Sequence, residues 1–559
     1  MNFLKKTFFS KTFWVMTFIT ILGVFLRLIS LDKPQGLWND EYISWSIASI
    51  PFGKHFFDAI FAQCHMPFYY LFLKFFIHFF GNGDLMLRFT SFLTGVLSIW
   101  AMYYVGKEFK NKNLGVLCAA IASISSFLIY FSQEVRFYEI LFLFSALSLL
   151  FTLKLGKTQN WTNLILYALS NFLVVFTHTI GFVFVVFNLI FISLWLGKTQ
   201  KFKKPVIIGW AVICAIFLPF VPFIFKTFAC SSYSYAQWWG HFTVSKLGFL
   251  VTDYFSPMLT NIVNAPDSFF YNFTIGFILF ALLPSIIALV GIYKAIATKK
   301  YQVLGLFFVS LATLLVLVLA SMSGKLVFIT KYSIEIYPTL ILLMGFGLLE
   351  LKNIFSRRFL IFLFCFISVF YLLTNPFSAP KMPRNEGHAL VAQLLKNANL
   401  NKGDFIILNY YPQDKFEKYF NFSGYNVVSI NKATFSDYLG VVPPELLLKD
   451  GNNLYKDIFS APDNKYFDKK LKLEIVNKLK HNQKVTVIIL NSVAIYSPVQ
   501  MQSLVMDENE YKKAPFLFLV FSHLKNEEMQ EFLKDLQISR FEQKGSWAAI
   551  TFTKSGASK

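Results

Sequence analysis

The 559 residues are 55% hydrophobic and 19% aromatic, and their formal net charge is +21. With a mean hydropathy of +0.53, this composition excludes an ordinary soluble globular chain. It does not point to nucleic acid either, because the cations sit in short clusters between apolar runs instead of on one basic face.

Both features fit a polytopic membrane protein, whose apolar runs must cross a hydrocarbon core about 30 Å thick. The first run, residues 13–29, follows Lys5, Lys6 and Lys11. It resembles a signal sequence, yet no small-residue cleavage site follows and further spans do, so it reads as a retained first helix. The next apolar stretch, 67–80, is too short for a crossing and reads as an interfacial or re-entrant helix. Further spans are expected at 86–106, 114–130, 139–155, 161–176, 180–196, 206–225, 271–292, 302–321, 331–349 and 358–374, about eleven with the first.

This assignment puts the clusters around Lys5, Lys107, Lys198, Lys201, Lys294 and Arg357 on one side, which the positive-inside rule makes cytoplasmic. Counting 67–80 as a full crossing would send most of them outward. The loop 30–65, the turn 133–138, the loop 226–271 and the turn near Gly324 then share the outer face.

After residue 374 the spans stop, and "NPFSAPKMPRN" reads as a Pro-rich linker. The expected division is a membrane domain over 1–375 and a soluble α/β domain over 376–559 on the outer side. In the tail, "DFIILNY", "VTVIILN", "PFLFLVF" and "WAAITF" predict strands, and 386–397 and 466–480 predict helices. That alternation suggests a mainly parallel sheet. With no Gly-rich phosphate loop, zinc spacing or serine elbow there, the tail reads as a recognition or stabilising domain.

Cys118, Cys214 and Cys365 lie inside apolar runs and suit packing, whereas Cys64 and Cys230 lie in polar segments where a disulfide is conceivable. The ionisable groups gather toward the outer ends of the spans, and such groups are expensive in lipid. Arg27 and Arg88 either snorkel to the interface or contact substrate. Arg136, beside Glu134 in a very short turn, has the same alternatives. Lys331 and Glu335 are four apart, so they either pair on one helix face or free Lys331 for a phosphate.

In "GLWNDEYISW", Asn39 or Asp40 can cap a helix whose first turn welcomes acidic charge. Alternatively, Asp40 is a base. His65 and His178 each suit a single interfacial hydrogen bond, which is commoner than a metal or catalytic role.

Order joins these pieces. An Arg closes the first span; "LWNDEYISW" follows, then "HMPFYYLFLKFFIHFFGNGDLMLRFTSFLTG", "YFSQEVRFYEILFLFSALSLL", "THTIGF" and "KYSIEIYPTLILL". Over residues 10–375 the chain resembles the bacterial protein-mannosyltransferase-like and aminoarabinose-transferase-like branch of the GT-C glycosyltransferases. The resemblance implies an enzyme of the bacterial cytoplasmic membrane that moves a sugar from a polyprenyl phosphate to a lipid, glycan or protein acceptor on the outer face.

By position, the resemblance makes Asp40 the general base and Glu41 its neighbour. It places His65 and Pro67 in a His-Pro-Pro-Leu-Tyr stretch with Met66 replacing the first proline, and Tyr138 and His178 in the substrate pocket. Lys331 and Tyr332 resemble the family's Arg-Tyr or Thr-Tyr pair near the lipid phosphate. Lysine keeps the charge but loses the bidentate fork. Relatives near the aminoarabinose transferases have Asp at roughly the place of Arg136, so no second catalytic carboxylate is expected there.

The chemistry needs a base for the acceptor proton and cations for the departing phosphate. Asp40 offers the first, and Lys325, Lys331 and Arg136 the second. No cofactor is expected: Cys64 beside His65 is too small a cluster to name a metal site, although a divalent metal stays open. The rival readings are a transporter or flippase of lipid-linked sugars, and an O-antigen polymerase or ligase. No inverted repeat is visible, and the loop 226–271 lacks the arginines such polymerases carry.

Overall fold

The computed structural model describes residues 11–29, 31–63, 65–199, 301–322, 330–374, 387–409, 413–430, 484–490, 536–544 and 547–554, with scattered positions between 207 and 297. Lys325, Cys64, Cys230, most of the loop 226–271, the strand expected at "PFLFLVF" and the helix expected at 466–480 lie outside the described residues.

The chain divides into two compact units. The first is helical: α1 (Lys11–Leu28), α2 (Asn39–Ser49, from Ile43 onward), α3 (Lys54–Ala62), α4 (Phe68–Phe80), α5 (Asp84–Phe109), α6 (Lys112–Ile124), α7 (Ser126–Phe131), α8 (Tyr138–Lys157), α9 (Trp161–Thr177) and α10 (Gly181–Thr199). After the scattered positions come α11 (Tyr301–Met322), a 3₁₀ turn over Thr330–Ile336, α12 (Tyr337–Leu349) and α13 (Ile354–Thr374). Five stretches among the described residues are long and apolar enough to cross a membrane: Lys11–Leu28, Asp84–Phe109, Tyr138–Lys157, Leu304–Met322 and Thr330–Leu349. α4, at 13 residues, is about 20 Å long and falls short of that core.

The outward surface confirms the solvent. On α1, Trp14, Phe18, Ile21 and Phe25 are exposed at helical spacing while Arg27 is fully buried. That polarity is inverted relative to a helix in water and suits lipid outside and protein within. The chain is a multi-pass membrane protein. At the centre α5 packs on α6 and α8, and α8 on α9. Buried side chains tie α8, α9 and α10 together. Ser148 Oγ donates to Asn171 Oδ1 at 3.0 Å, Asn188 Nδ2 to Ser148 Oγ at 2.8 Å, and Thr152 Oγ1 to Asn188 Oδ1 at 3.0 Å.

Two expected spans are broken. The run 114–130 divides at Ser125, which is extended (φ −64°, ψ 116°) and whose Oγ accepts from Leu128 N to cap α7. Serine side chains offer the backbone this alternative to a continuing helix. The break frees carbonyls at the end of α6, and Arg27 takes them. Its Nη1 donates to Ser123 O at 2.9 Å and its Nη2 to Ala122 O at 3.1 Å. A Cβ on Gly95 would come within 3.0 Å of Arg27 Nε, so glycine there makes room for the guanidinium. Arg27 therefore does not snorkel; it closes a helix end in a medium without water. Arg88 is likewise fully buried, which rules out snorkelling. Arg27→Met strips both carbonyls of their donor and should cost about 3 kcal/mol, read as a Tm several degrees lower in detergent. An unchanged Tm would contradict this role.

The run 331–349 starts as a 3₁₀ turn with Ser333 off helical geometry (φ −117°, ψ 20°), and the α-helix begins only at Tyr337. Pro338 at the helix start is the cause, since its ring would collide with the carbonyl four residues back in a continuous α-helix.

The second unit comprises Lys33–Tyr42 and the described part of Pro383–Lys559. Lys33–Tyr42, a loop and the first turn of α2, is assigned by the apolar pattern to the membrane part. The C-terminal region contains α14 (His388–Asn397) and strands β1 (Phe405–Asn409), β2 (Asn426–Ile430), β3 (Lys484–Leu490), β4 (Leu536–Lys544) and β5 (Trp547–Lys554). The sheet order is β2-β1-β3-β5-β4. β1 is parallel to β2 and β3, while β5 is antiparallel to β3 and β4. The mainly parallel expectation is thus corrected to a mixed sheet. Only two residues separate β4 from β5, far fewer than the dozen or so a parallel crossover needs. Leu390, Val391, Leu394 and Leu395 of α14 pack with Ile406, Leu408, Phe416, Ile488 and Trp547 to form the core.

Candidate active site

In the helical unit, four separate segments bring cations and aromatic rings together. Arg136 lies in the turn between α7 and α8, where its carbonyl accepts from Ser91 Oγ at 3.3 Å. Its Nη1 donates to Ser44 Oγ of α2 at 3.3 Å, and its guanidinium lies 4.9 Å from the Phe137 ring and 5.8 Å from Tyr138. Lys331, on the 3₁₀ turn, holds its Nζ 5.5 Å from the Tyr138 ring and 5.7 Å from Tyr332. The two cations therefore both lie against the Tyr138 ring, an arrangement worth more when desolvated than at a surface.

The histidines complete this wall. His65 Nδ1 meets Tyr70 Oη at 2.5 Å, and its ring stands edge-on to Phe137 at 5.2 Å. His178 stacks on Tyr332 at 5.7 Å and packs on Phe137 at 4.8 Å, while its Nδ1 accepts from Ile180 N at 3.3 Å. Burial pushes the His65 ring well below its ordinary pKa, helped by Arg136, His178 and Lys331. Burial, with Arg136 and Lys331, pushes His178 down to about 3. Both imidazoles are neutral at physiological pH; burial is the main cause, and the positive charge that adds to it is one a bound anion would offset.

His65, Arg136, Tyr138, His178, Lys331 and Tyr332 are thus brought together. The sequence reading missed Phe137, whose ring touches His65, Tyr69, Tyr138 and His178. Its signal was an aromatic beside Arg136 in a turn too short to hold a spare side chain. Tyr254, within the stretch 226–271 expected as an outer loop, was also missed. Its Oη donates to Ser333 O at 3.0 Å, and its ring stacks on Tyr337 at 4.8 Å, which braces the turn carrying Lys331. Glu335 is fully buried and forms no ion pair with Lys331 among the described residues. Residues four apart diverge on a 3₁₀ turn, where positions three apart align.

Asp40 and Glu41 belong to the second unit. The helix already includes Asn39, so the capping position falls to Trp38. Its carbonyl accepts from Tyr42 N at 2.8 Å, and its N–H donates to Glu41 Oε2 at 3.3 Å. This is the returning half of a capping box. Neither Asn39 nor Asp40 is the cap, and Asn39 Oδ1 accepts no hydrogen bond among the described residues. Glu41 is fully buried, whereas Asp40 is half-buried in the first turn. Among the described residues, no three His, Cys, Asp or Glu side chains converge.

A family model described as dolichyl-phosphate-mannose-protein mannosyltransferase matches residues 64–225, which include His65, Arg136, Tyr138 and His178. No curated protein matches the chain in sequence. Among solved structures, apo ArnT from Cupriavidus metallidurans is similar at 11% identity and TM-score 0.51, over 96% of this chain and 97% of that one. ArnT from the same organism bound to undecaprenyl phosphate matches at 12% identity and TM-score 0.48, over 97% and 98%. The oligosaccharyltransferase AglB from Archaeoglobus fulgidus, in complex with an inhibitory peptide and a dolichol-phosphate, matches at 11% identity and TM-score 0.48, over 97% and 88%. A mannosyltransferase family model thus matches one segment of the chain, and the chain as a whole shares its fold with apo ArnT.

Proposed function

We propose that the protein transfers a sugar from a polyprenyl-phosphate donor to a hydroxyl-bearing acceptor on the outer face of a bacterial cytoplasmic membrane, with the C-terminal domain on that face. The observation that carries this reading is the pairing of Arg136 and Lys331 over one tyrosine ring, with two imidazoles kept neutral beside them. Fixed cations against an aromatic wall suit a phosphate that gains charge as it departs.

In the step proposed, the acceptor oxygen attacks the anomeric carbon and forms the new C–O bond. The carbon–oxygen bond to phosphate breaks, and its electron pair leaves with the polyprenyl phosphate. Asp40 takes the acceptor proton, and attack opposite the leaving group inverts the anomeric centre. Arg136 and Lys331 supply the positive charge, so the reaction as proposed needs no resident metal.

The test compares envelope glycans and lipids by mass spectrometry in cells with and without the protein. Loss of one sugar-sized mass unit from one class of molecule is expected. Identical spectra, with binding of polyprenyl-phosphate sugar by the purified protein, would instead indicate a transporter of that lipid.

A further inference from the structure

The loop that bears the acidic pair is held by the C-terminal unit. α14 begins after Gly387 without a side-chain cap, and its first free N–H groups are satisfied by this loop. His388 N donates to Leu37 O at 2.9 Å and Ala389 N to Gln35 O at 3.1 Å. In return, Leu37 N donates to Tyr419 Oη at 2.8 Å. The His388 ring is fully buried and packs on Tyr42 at 5.1 Å, on Phe416 at 5.2 Å and on Trp547 at 6.4 Å. Lys415 covers the Tyr42 ring at 4.8 Å.

The approach is close enough to require glycine at two positions. Gly36 has φ +78°, and a Cβ there would lie 2.7 Å from Ala389 Cβ; a Cβ on Gly387 would lie 2.1 Å from Gln35 O. The loop therefore acts as the cap that α14 lacks, and in exchange it is fixed on both sides of Gly36. Asp40 and Glu41 follow within the next turn, between the Leu37 hydrogen bonds and the Tyr42 ring contact.

We propose that the C-terminal unit orients the acidic start of α2 for catalysis, with Gly387, His388 and Tyr419 as positioning residues; this rests on the reading of Asp40 as the base. Burial, with the Lys415 ammonium outweighing Glu41, pushes His388 down to about 3. The ring therefore packs on Tyr42 in its neutral form at physiological pH. A general base works only when held within hydrogen-bond reach of its proton, and a misplacement of about 1 Å costs on the order of a hundredfold in rate.

The test uses full-length protein in lipid nanodiscs, with the polyprenyl-phosphate sugar fraction extracted from the producing cells as substrate. Tyr419→Phe removes the acceptor of Leu37 N–H while keeping the ring, and Gly387→Ala drives a methyl into Gln35 O. Each should lower kcat about tenfold or more with KM for the lipid fraction unchanged within about twofold. If Gly387→Ala fails to fold, Tyr419→Phe alone decides. Wild-type kcat, or a raised KM at unchanged kcat, overturns the positioning role. Asp40→Asn, run alongside, separates the two claims. Activity in that variant removes the premise, whereas an inactive Asp40→Asn beside fully active Tyr419→Phe and Gly387→Ala refutes the positioning role alone.

Discussion

Asp40→Asn is expected to lower sugar transfer by about a thousandfold while leaving the protein folded in the membrane, since general-base catalysis contributes roughly 10²–10⁴-fold. The fold makes the substitution mild. Asp40 is half-buried, is not the cap of α2, and is nearly isosteric with Asn. Glu41 makes the contrasting case. Its carboxylate accepts from Trp38 N and is fully buried, so Glu41→Gln keeps the acceptor oxygen and should retain more activity than Asp40→Asn. Initial rates on the polyprenyl-phosphate sugar fraction, beside thermal unfolding, check both. Wild-type rates in Asp40→Asn would remove it from the chemistry.

The second large effect concerns the cations. Arg136→Gln and Lys331→Gln should each lower kcat about a hundredfold, the scale of losing one group that stabilises developing charge. Their neighbours distinguish conservative replacements. Arg136 is oriented by Ser44 and lies against Phe137 and Tyr138, so Arg136→Lys loses the fork and the planar stack and behaves much like Arg136→Gln. Lys331 meets two ring faces as a point charge, and Lys331→Arg should keep most of the rate. Kinetics on the same lipid fraction measure this series. Full activity in both Gln variants would show that neither cation serves the leaving phosphate.

Why some of this was legible in the sequence follows from the medium. In lipid an apolar run of membrane length must close its own hydrogen bonds, so a helix is the available answer, and α5, α8 and α11 lie where the pattern puts them. The break at Ser125 was hidden because it depends on partners far along the chain: Tyr337, whose Oη meets Ser125 Oγ at 2.9 Å, and Arg27. The late start of α12 was written in Pro338, but the apolar pattern ran through it. In the tail, β4 escaped notice because Arg540, Glu542 and Lys544 interrupt its alternation.

The site was legible by residue type and order, not by geometry. Arg136 and Lys331 stood out because charge in a membrane segment is costly, yet no local pattern said that both would face Tyr138. The Lys331–Glu335 pairing failed because the α-helical spacing behind it does not hold in a 3₁₀ turn. The capping role of Glu41 needed the true start of α2, two residues earlier than an Asp40 cap requires. The hold of α14 on residues 35–42 joins segments that no periodicity connects.

The most direct measurement of the central claim is the fate of the lipid when purified protein in nanodiscs is incubated with the polyprenyl-phosphate sugar fraction and a membrane extract supplying the acceptor. Mass spectrometry should show free polyprenyl phosphate accumulating one for one with sugar added to an acceptor, and neither product with Asp40→Asn. Lipid-linked sugar that stays intact with the wild-type protein, or free polyprenyl phosphate formed equally by Asp40→Asn, would contradict the account.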